Sequence, residues 1–218
     1  VFITKCDAAQ VYFACSDTNI AEEGDIGELM KSSKYYLGCL GKSEVQNGYD
    51  CASMLGEAGA SKVGLLGLPI TFPMGADRDE GFKKAYGDYD MTLLSEVRDY
   101  NKFMNAAGGA DVTQSFLSAY PEMDGIIVGG CTQYCLPGVV QAVKNSGRDI
   151  KVAGIDYDEN ILQHMEDGTV VGFTGGNWND DVLAACLIIN AIQGNRLCEE
   201  RVNLTTGYFV VDDLEKCQ

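Results

Sequence analysis

The chain is poor in positive charge. Its 218 residues hold 16 Lys and Arg against 32 Asp and Glu, a formal net charge of −16. A protein that grips phosphate backbones by releasing counterions needs a basic face, so no nucleic-acid partner is expected. Histidine is nearly absent, His164 standing alone, and Trp178 is the single tryptophan. Apolar runs such as Val182 to Ile189 fall far short of a bilayer span. Yet 46% of the residues are hydrophobic, too many for a disordered chain. No Gly-x-Ser-x-Gly elbow, no Gly-x-Gly-x-x-Gly and no complete phosphate-loop pattern occur.

Cysteine, by contrast, is plentiful. Nine stand at 6, 15, 39, 51, 131, 135, 186, 198 and 217, without a Cys-x-x-Cys pair. Structural zinc needs two closely spaced ligand pairs, so neither a metal nor a cofactor is expected, and most of these thiols read as small buried hydrophobes. Many unpaired thiols would suit a reducing compartment or the exterior of an anaerobic cell. The chain opens on Val1-Phe2-Ile3-Thr4 without Met or a signal-like segment, which suggests a truncated piece or an unusual half-protein.

Short apolar runs alternate with amphipathic stretches along most of the sequence. Strands are expected at Lys62–Leu68, Asp90–Val97, Gly125–Gly129, Lys151–Asp156 and Val170–Gly175. Helices are expected at 42–57, 79–86, 111–120 (capped by Asp111), 137–145, 159–166 and 179–193, the last capped by Asn177 or Asn179. Strands that are apolar throughout, joined by short connections to helices, signify a doubly wound parallel sheet covered on both faces, an α/β fold. Nearer the start, Val1–Thr4 reads as a strand, Val11–Cys15 as another, and Glu22, Glu23, Asp25 and Glu28 as an acidic helix. Val202–Leu204 and Tyr208–Val211 read as closing strands.

Three stretches resemble the type I periplasmic binding protein superfamily: Arg78-Asp79-Glu80-Gly81-Phe82, the strand entry from Tyr120 to Val128, and the block from Gln141 to Asp156. Met165–Thr169 and Gln193-Gly194-Asn195 extend the likeness. The resemblance implies one complete Rossmann-like lobe at 42–173, with 1–41 a remainder of an N-terminal lobe and 174–218 a return to it. It aligns Val1–Thr4 with that lobe's fourth strand, so its early β-α units would be missing. Gly175-Gly176 reads as a crossing between lobes rather than a phosphate loop.

Ligands of doubly wound sheets sit beyond the carboxyl ends of the strands, which puts 69–78, 129–133, 156–158 and 175–178 on one rim. A polyol needs fixed donors and acceptors and a flat apolar wall. The resemblance implies that Arg78 grips hydroxyls or a carboxylate and that Asp156 accepts hydroxyl hydrogen bonds. Each has a plainer reading, Arg78 as a surface partner of Asp77 or Asp79 and Asp156 as a turn carboxylate. Departures from the family are Gly129-Gly130-Cys131-Thr132-Gln133, a loop that looks longer and lacks the usual Asn; Asn177, displaced by one position; and Lys5-Cys6-Asp7, in place of Asp-Arg. Gln133, Asn177 and Asp7 are therefore candidate ligand groups. Phe72 and Tyr134 are rim aromatics, and Trp178 is either a stacking wall or a core anchor.

The implied function is solute binding for an ABC importer: a sugar, polyol or similar small ligand held in an interlobe cleft, with a membrane permease as partner. The location would be periplasmic or extracellular, with lipoprotein anchoring allowed. The alternative is the effector domain of a LacI-type regulator, which would be cytoplasmic. The cysteines favour that alternative, whereas the acidic segment at Glu22–Glu28 favours the first. Catalysis is not expected, since a Cys131 nucleophile would need His164 beside it. Oligomeric state stays open.

Overall fold

The computed structural model describes residues 2–17, 24–176, 178–197 and 201–217. The chain begins with helix α1 (Phe2–Ala9), strand β1 (Phe13–Asp17), α2 (Gly24–Ser32), β2 (Tyr36–Lys42), α3 (Glu44–Glu57) and β3 (Lys62–Leu66). It continues through α4 (Pro73–Asp88), β4 (Thr92–Val97), α5 (Tyr100–Phe103), α6 (Ala106–Ala119), β5 (Gly125–Val128) and α7 (Thr132–Ser146). It ends with β6 (Lys151–Ile155), α8 (Ile161–Glu166), β7 (Val170–Gly175), α9 (Trp178–Ile192), β8 (Val202–Thr206), β9 (Phe209–Val211) and a short 3-10 turn. Two compact units result, one of residues 1–43 and 176–208 and the other of 44–175 and 209–218.

The larger unit is built on a sheet of order β4-β3-β5-β6-β7-β9, parallel except for β9. Its central strands are apolar throughout because both faces are covered. Successive side chains of a strand point to opposite faces. Leu66, Ile126, Val128 and Val152 therefore pack with Val112, Phe116, Leu136, Val139 and Val143 of α6 and α7. Leu65, Ile127, Ala153 and Ile155 pack with Cys51, Leu55, Phe82 and Ala85 of α3 and α4. Each fully buried Leu, Ile or Val contributes about 1.5–3 kcal/mol relative to exposure. The α/β, doubly wound reading of the sequence holds.

The smaller unit carries a parallel sheet of order β1-β2-β8. Helix α9 lays Ala184, Leu187 and Ala191 on Leu37 and Leu40 of β2. A second cluster joins Cys6 of α1 to Phe13, Met30 and Tyr36.

Several local expectations are corrected. Val1–Thr4 is no strand: from Phe2 the chain is helical, because Cys6, one turn after Phe2, is buried against Phe13 and Met30 while β1 takes the place in the sheet. Lys42 does not open a helix but ends β2, a strand buried along its whole length that its two glycines disguise in sequence. Helix α6 starts at Ala106, with the Asn105 side chain accepting from the Gly108 N–H, so Asp111 is an exposed mid-helix residue rather than a cap. Helix α7 likewise begins five residues before Pro137, which sits inside it. Residues 209–218 belong with the larger unit, since β9 pairs antiparallel with β7, whereas the sequence reading sent all of 174–218 to the other lobe. Asn179 lies inside α9, and Val1, Glu22, Glu23, Asn177 and Cys198 lie outside the described residues.

Helices α3 and α4 approach so closely that a Cβ on Gly81 would lie 2.0 Å from the Val45 carbonyl oxygen. A Cβ on Gly87 of the same helix would meet nothing within 4 Å. The two Gly→Ala substitutions therefore have opposite signs. Gly81→Ala costs about 1–3 kcal/mol by overpacking, and Gly87→Ala stabilises by about 0.5–1 kcal/mol through helix propensity, both read by urea denaturation.

Candidate binding rim of the larger unit

The candidate site follows from the ends of the parallel strands. After β3 the chain turns through Pro69 into α4, whose N-cap Phe72 is extended and whose first residue is Pro73, a favoured opening because its missing N–H has no helical partner to lose. After β5 only Gly129, Gly130 and Cys131 precede α7. After β6 comes Asp156, with a left-handed φ of 82°.

Arg78 is buried on α4, 3% exposed. Its Nε donates to Glu44 Oε2 at 2.7 Å and its Nη1 to the Gly129 carbonyl at 3.1 Å. Its partner is thus Glu44 of α3, not Asp77 or Asp79; Asp79 pairs with Lys83 and Arg98. Glu44 Oε2 also accepts from Asn47 Nδ2 at 3.2 Å, and the Asn47 side-chain oxygen accepts from the Thr174 hydroxyl. A buried polar network therefore ties α4, α3 and β7 together beneath the rim. Such a network is stable only when its charges are paired and hydrogen-bonded. Gly130 is required here twice over: its φ is 143°, and a Cβ would stand 2.5 Å from Arg78 Nη1.

Asp156 takes hold of the same loop. Its Oδ2 accepts the Cys131 N–H at 2.7 Å, and its own N–H donates to the Thr174 carbonyl at 2.8 Å. The other carboxylate oxygen, Oδ1, has no hydrogen-bond partner among the described residues, and the side chain is partly exposed. Arg78 and Asp156 thus hold one loop at the carboxyl end of the sheet, at Gly129 and at Cys131 on either side of Gly130. Arg78 is turned inward; Asp156 faces out. Gln133 and Tyr134, on the first turn of α7, are exposed, as is Phe72, which contacts Tyr100 edge-on at 6.2 Å. Asp158 is buried, its side chain accepting from the Asn160 N–H ahead of α8.

Other predicted site residues fall elsewhere. Asp7 lies in α1 and accepts from the Ser33 hydroxyl at 2.5 Å, beside the amino end of β2 and not at a carboxyl end. The acidic residue that does close a strand of the smaller unit is Asp17, at φ 68°. Trp178, first in α9, is 61% exposed, which removes the core-anchor reading. Sequence reasoning missed Glu44 and Asn47 altogether; the only available signal was two polar residues opening a helix that is otherwise half apolar. A Gly-Lys-Ser run does occur at 41–43, but Tyr36 stands where a phosphate loop has its first glycine. Lys42 Nζ is buried, donating to Thr206 Oγ1 and the Gly207 carbonyl and lying 3.4 Å from Asp180.

The Cys131 thiol titrates above its ordinary range because burial and then Asp156 disfavour the thiolate, outweighing Arg78. His164 lies beside Asp167 instead. Among the described residues no helix is long and apolar enough to cross a membrane, and no group of three or more His, Cys, Asp or Glu could hold a metal.

The family model for the periplasmic binding protein domain matches residues 2–195, and the chain belongs to that family. A solute-binding protein of Actinobacillus succinogenes with bound D-allose superposes with a TM-score of 0.78 at 21% identity, over 97% of this chain and 73% of its own. The arabinose-binding component from Shewanella sp. ANA-3 gives 0.73 at 19%, over 95% and 68%. An Agrobacterium vitis protein with bound α-D-tagatopyranose gives 0.71 at 17%, over 96% and 70%. The chain is thus similar in fold to these proteins and spans about seven tenths of their lengths. No curated protein sequence matches it significantly.

Two predictions follow from the rim's chemistry. Glu44→Ala leaves the Arg78 guanidinium buried without its partner and costs about 3–5 kcal/mol in urea denaturation, more than Glu44→Gln. Burial pushes the Cys135 thiol up to about 12 and that of Cys51 higher still, so both are protonated at pH 8. Iodoacetamide at that pH, mapped by peptide mass spectrometry, labels exposed Cys186 and spares Cys51 and Cys135 until the protein unfolds.

Proposed function

We propose that this chain is the solute-binding component of an ABC importer and that the rim of its larger unit binds a small hydroxyl-rich ligand of the sugar or polyol class. The observation that carries the reading is Asp156, fixed by one oxygen to the Cys131 N–H and open at the other. An ionised carboxylate is acceptor-only, so the open oxygen suits a ligand hydroxyl, and a pre-oriented one binds without the entropy of being ordered. Gln133 adds an amide, and Phe72 or Tyr134 an apolar wall of the kind sugar rings stack on. Arg78 serves from below, positioning the loop through the Gly129 carbonyl. Relatives with bound D-allose, arabinofuranose and tagatopyranose support the ligand class, and their transporter context supports a membrane permease as partner. The same descent supports a periplasmic location.

One observation favours a second reading, the effector domain of a LacI-type regulator: seven of the nine cysteines, from Cys6 to Cys186, are free thiols, as in a reducing compartment. The coding sequence upstream separates the two, by an export signal in one case and a DNA-binding helix-turn-helix in the other.

A thermal-shift and calorimetric screen of D-allose, L-arabinose, D-tagatose, other sugars, polyols and nucleosides tests the main reading. At least one sugar or polyol is expected to raise the melting temperature. Asp156→Asn should then weaken its binding tenfold or more, about 1.4 kcal/mol. Failure of every sugar and polyol to bind at millimolar concentration, or an Asp156→Asn affinity within twofold of wild type, overturns it.

A further inference from the structure

The smaller unit holds a cavity of about 690 Å³ at the amino-terminal ends of its strands, away from the carboxyl ends where a doubly wound fold places its ligand. Lys34 precedes β2, and Arg201 immediately precedes β8; Lys31 lies in the last turn of α2, and Arg196 follows α9. Four of the chain's 16 Lys and Arg thus line one cavity in a molecule of net charge −16.

Their partners account for only part of this clustering. Lys31 pairs with Glu28 at 3.3 Å, one turn earlier on the same helix. Arg201 reaches the Met30 carbonyl at 3.5 Å and lies over the Tyr36 ring at 6.0 Å, where it complements the C-terminal end of α2. Lys34 and Arg196 have no carboxylate partner among the described residues. The nearby Asp7 carboxylate is engaged by the Ser33 hydroxyl. Carboxylates outnumber cations two to one in this chain, yet these cations converge on a concave space and repel one another there. An anion in the cavity relieves that repulsion, and guanidinium forks bind planar oxyanions with two parallel hydrogen bonds.

We propose that this cavity is a binding site for a small multivalent oxyanion, of the phosphate-ester or polycarboxylate class, held chiefly by Arg196 and Arg201 with Lys31 and Lys34 at its edge. The site belongs wholly to the smaller unit, uses no residue of the sugar-binding rim and does not depend on that reading.

The test is calorimetric titration of the intact chain with inorganic pyrophosphate and, separately, with citrate, at low ionic strength and without sugar. Saturable binding is expected, with a melting temperature that rises with ligand by mass action. The double variant R196Q/R201Q should weaken it tenfold or more. The double variant K102Q/K144Q, which removes the same charge from two exposed positions of the larger unit, should leave it within twofold. An absence of saturable binding by either anion overturns the proposal. So does an equal loss in both double variants, which would mark a diffuse charge effect. Binding to vesicles of anionic lipid without binding to either soluble anion overturns it as well, by making the face a membrane contact.

Discussion

The pairing of Arg78 with Glu44 is the constraint on which the rim of the larger unit depends. Two charges almost shut off from water are tolerable only when each satisfies the other and the remaining polar atoms find partners. Here the pair does more than neutralise itself. Glu44 recruits Asn47 and through it Thr174, while Arg78 reaches across to the Gly129 carbonyl. A helix on one face of the sheet is thereby tied to a loop at its carboxyl end. That loop can lie where it does only because residue 130 is glycine.

Asp156 completes the arrangement from the neighbouring strand end. The backbone between β5 and α7 is held on one side by a buried cation and on the other by a partly exposed carboxylate. The division of labour is physical: the guanidinium, with its fixed fork of donors, works inside, and the carboxylate keeps an acceptor for the outside. The resemblance assigned ligand contact to both residues alike. Burial separates them: Arg78 is shut in beneath the loop, and Asp156 is partly exposed.

The smaller unit shows a different use of charge. Lys42 and Asp180 are buried together at the carboxyl end of its sheet, whereas of the four cations at the amino end only Lys31 has a carboxylate partner among the described residues. The acidity of the whole chain says nothing about this distribution. Net charge governs solubility and long-range encounter, but local clustering is a matter of which loops the topology brings together.

What could be read directly was whatever depends on neighbours in sequence. The runs 125–128 and 152–155 declare buried parallel strands because every residue in them is small or apolar. The Val139, Val140 and Val143 stripe declares the face of a helix. Asp156 was legible as a strand-end carboxylate, and Arg78 as a residue at the rim. Tertiary structure alone decided the rest. It turned Phe2–Ala9 into a helix, since burial of Cys6 against Phe13 and Met30 outweighs the strand preference of Phe-Ile-Thr. It placed Asp7 beside Ser33, 26 residues away, and chose Glu44 over the adjacent aspartates as the partner of Arg78. The reason is common to all three cases: local preference is worth tenths of a kilocalorie per residue, while burying a side chain or pairing a buried charge is worth several kilocalories. Those larger energies come from residues far apart in the chain, whose meeting only the completed fold brings about.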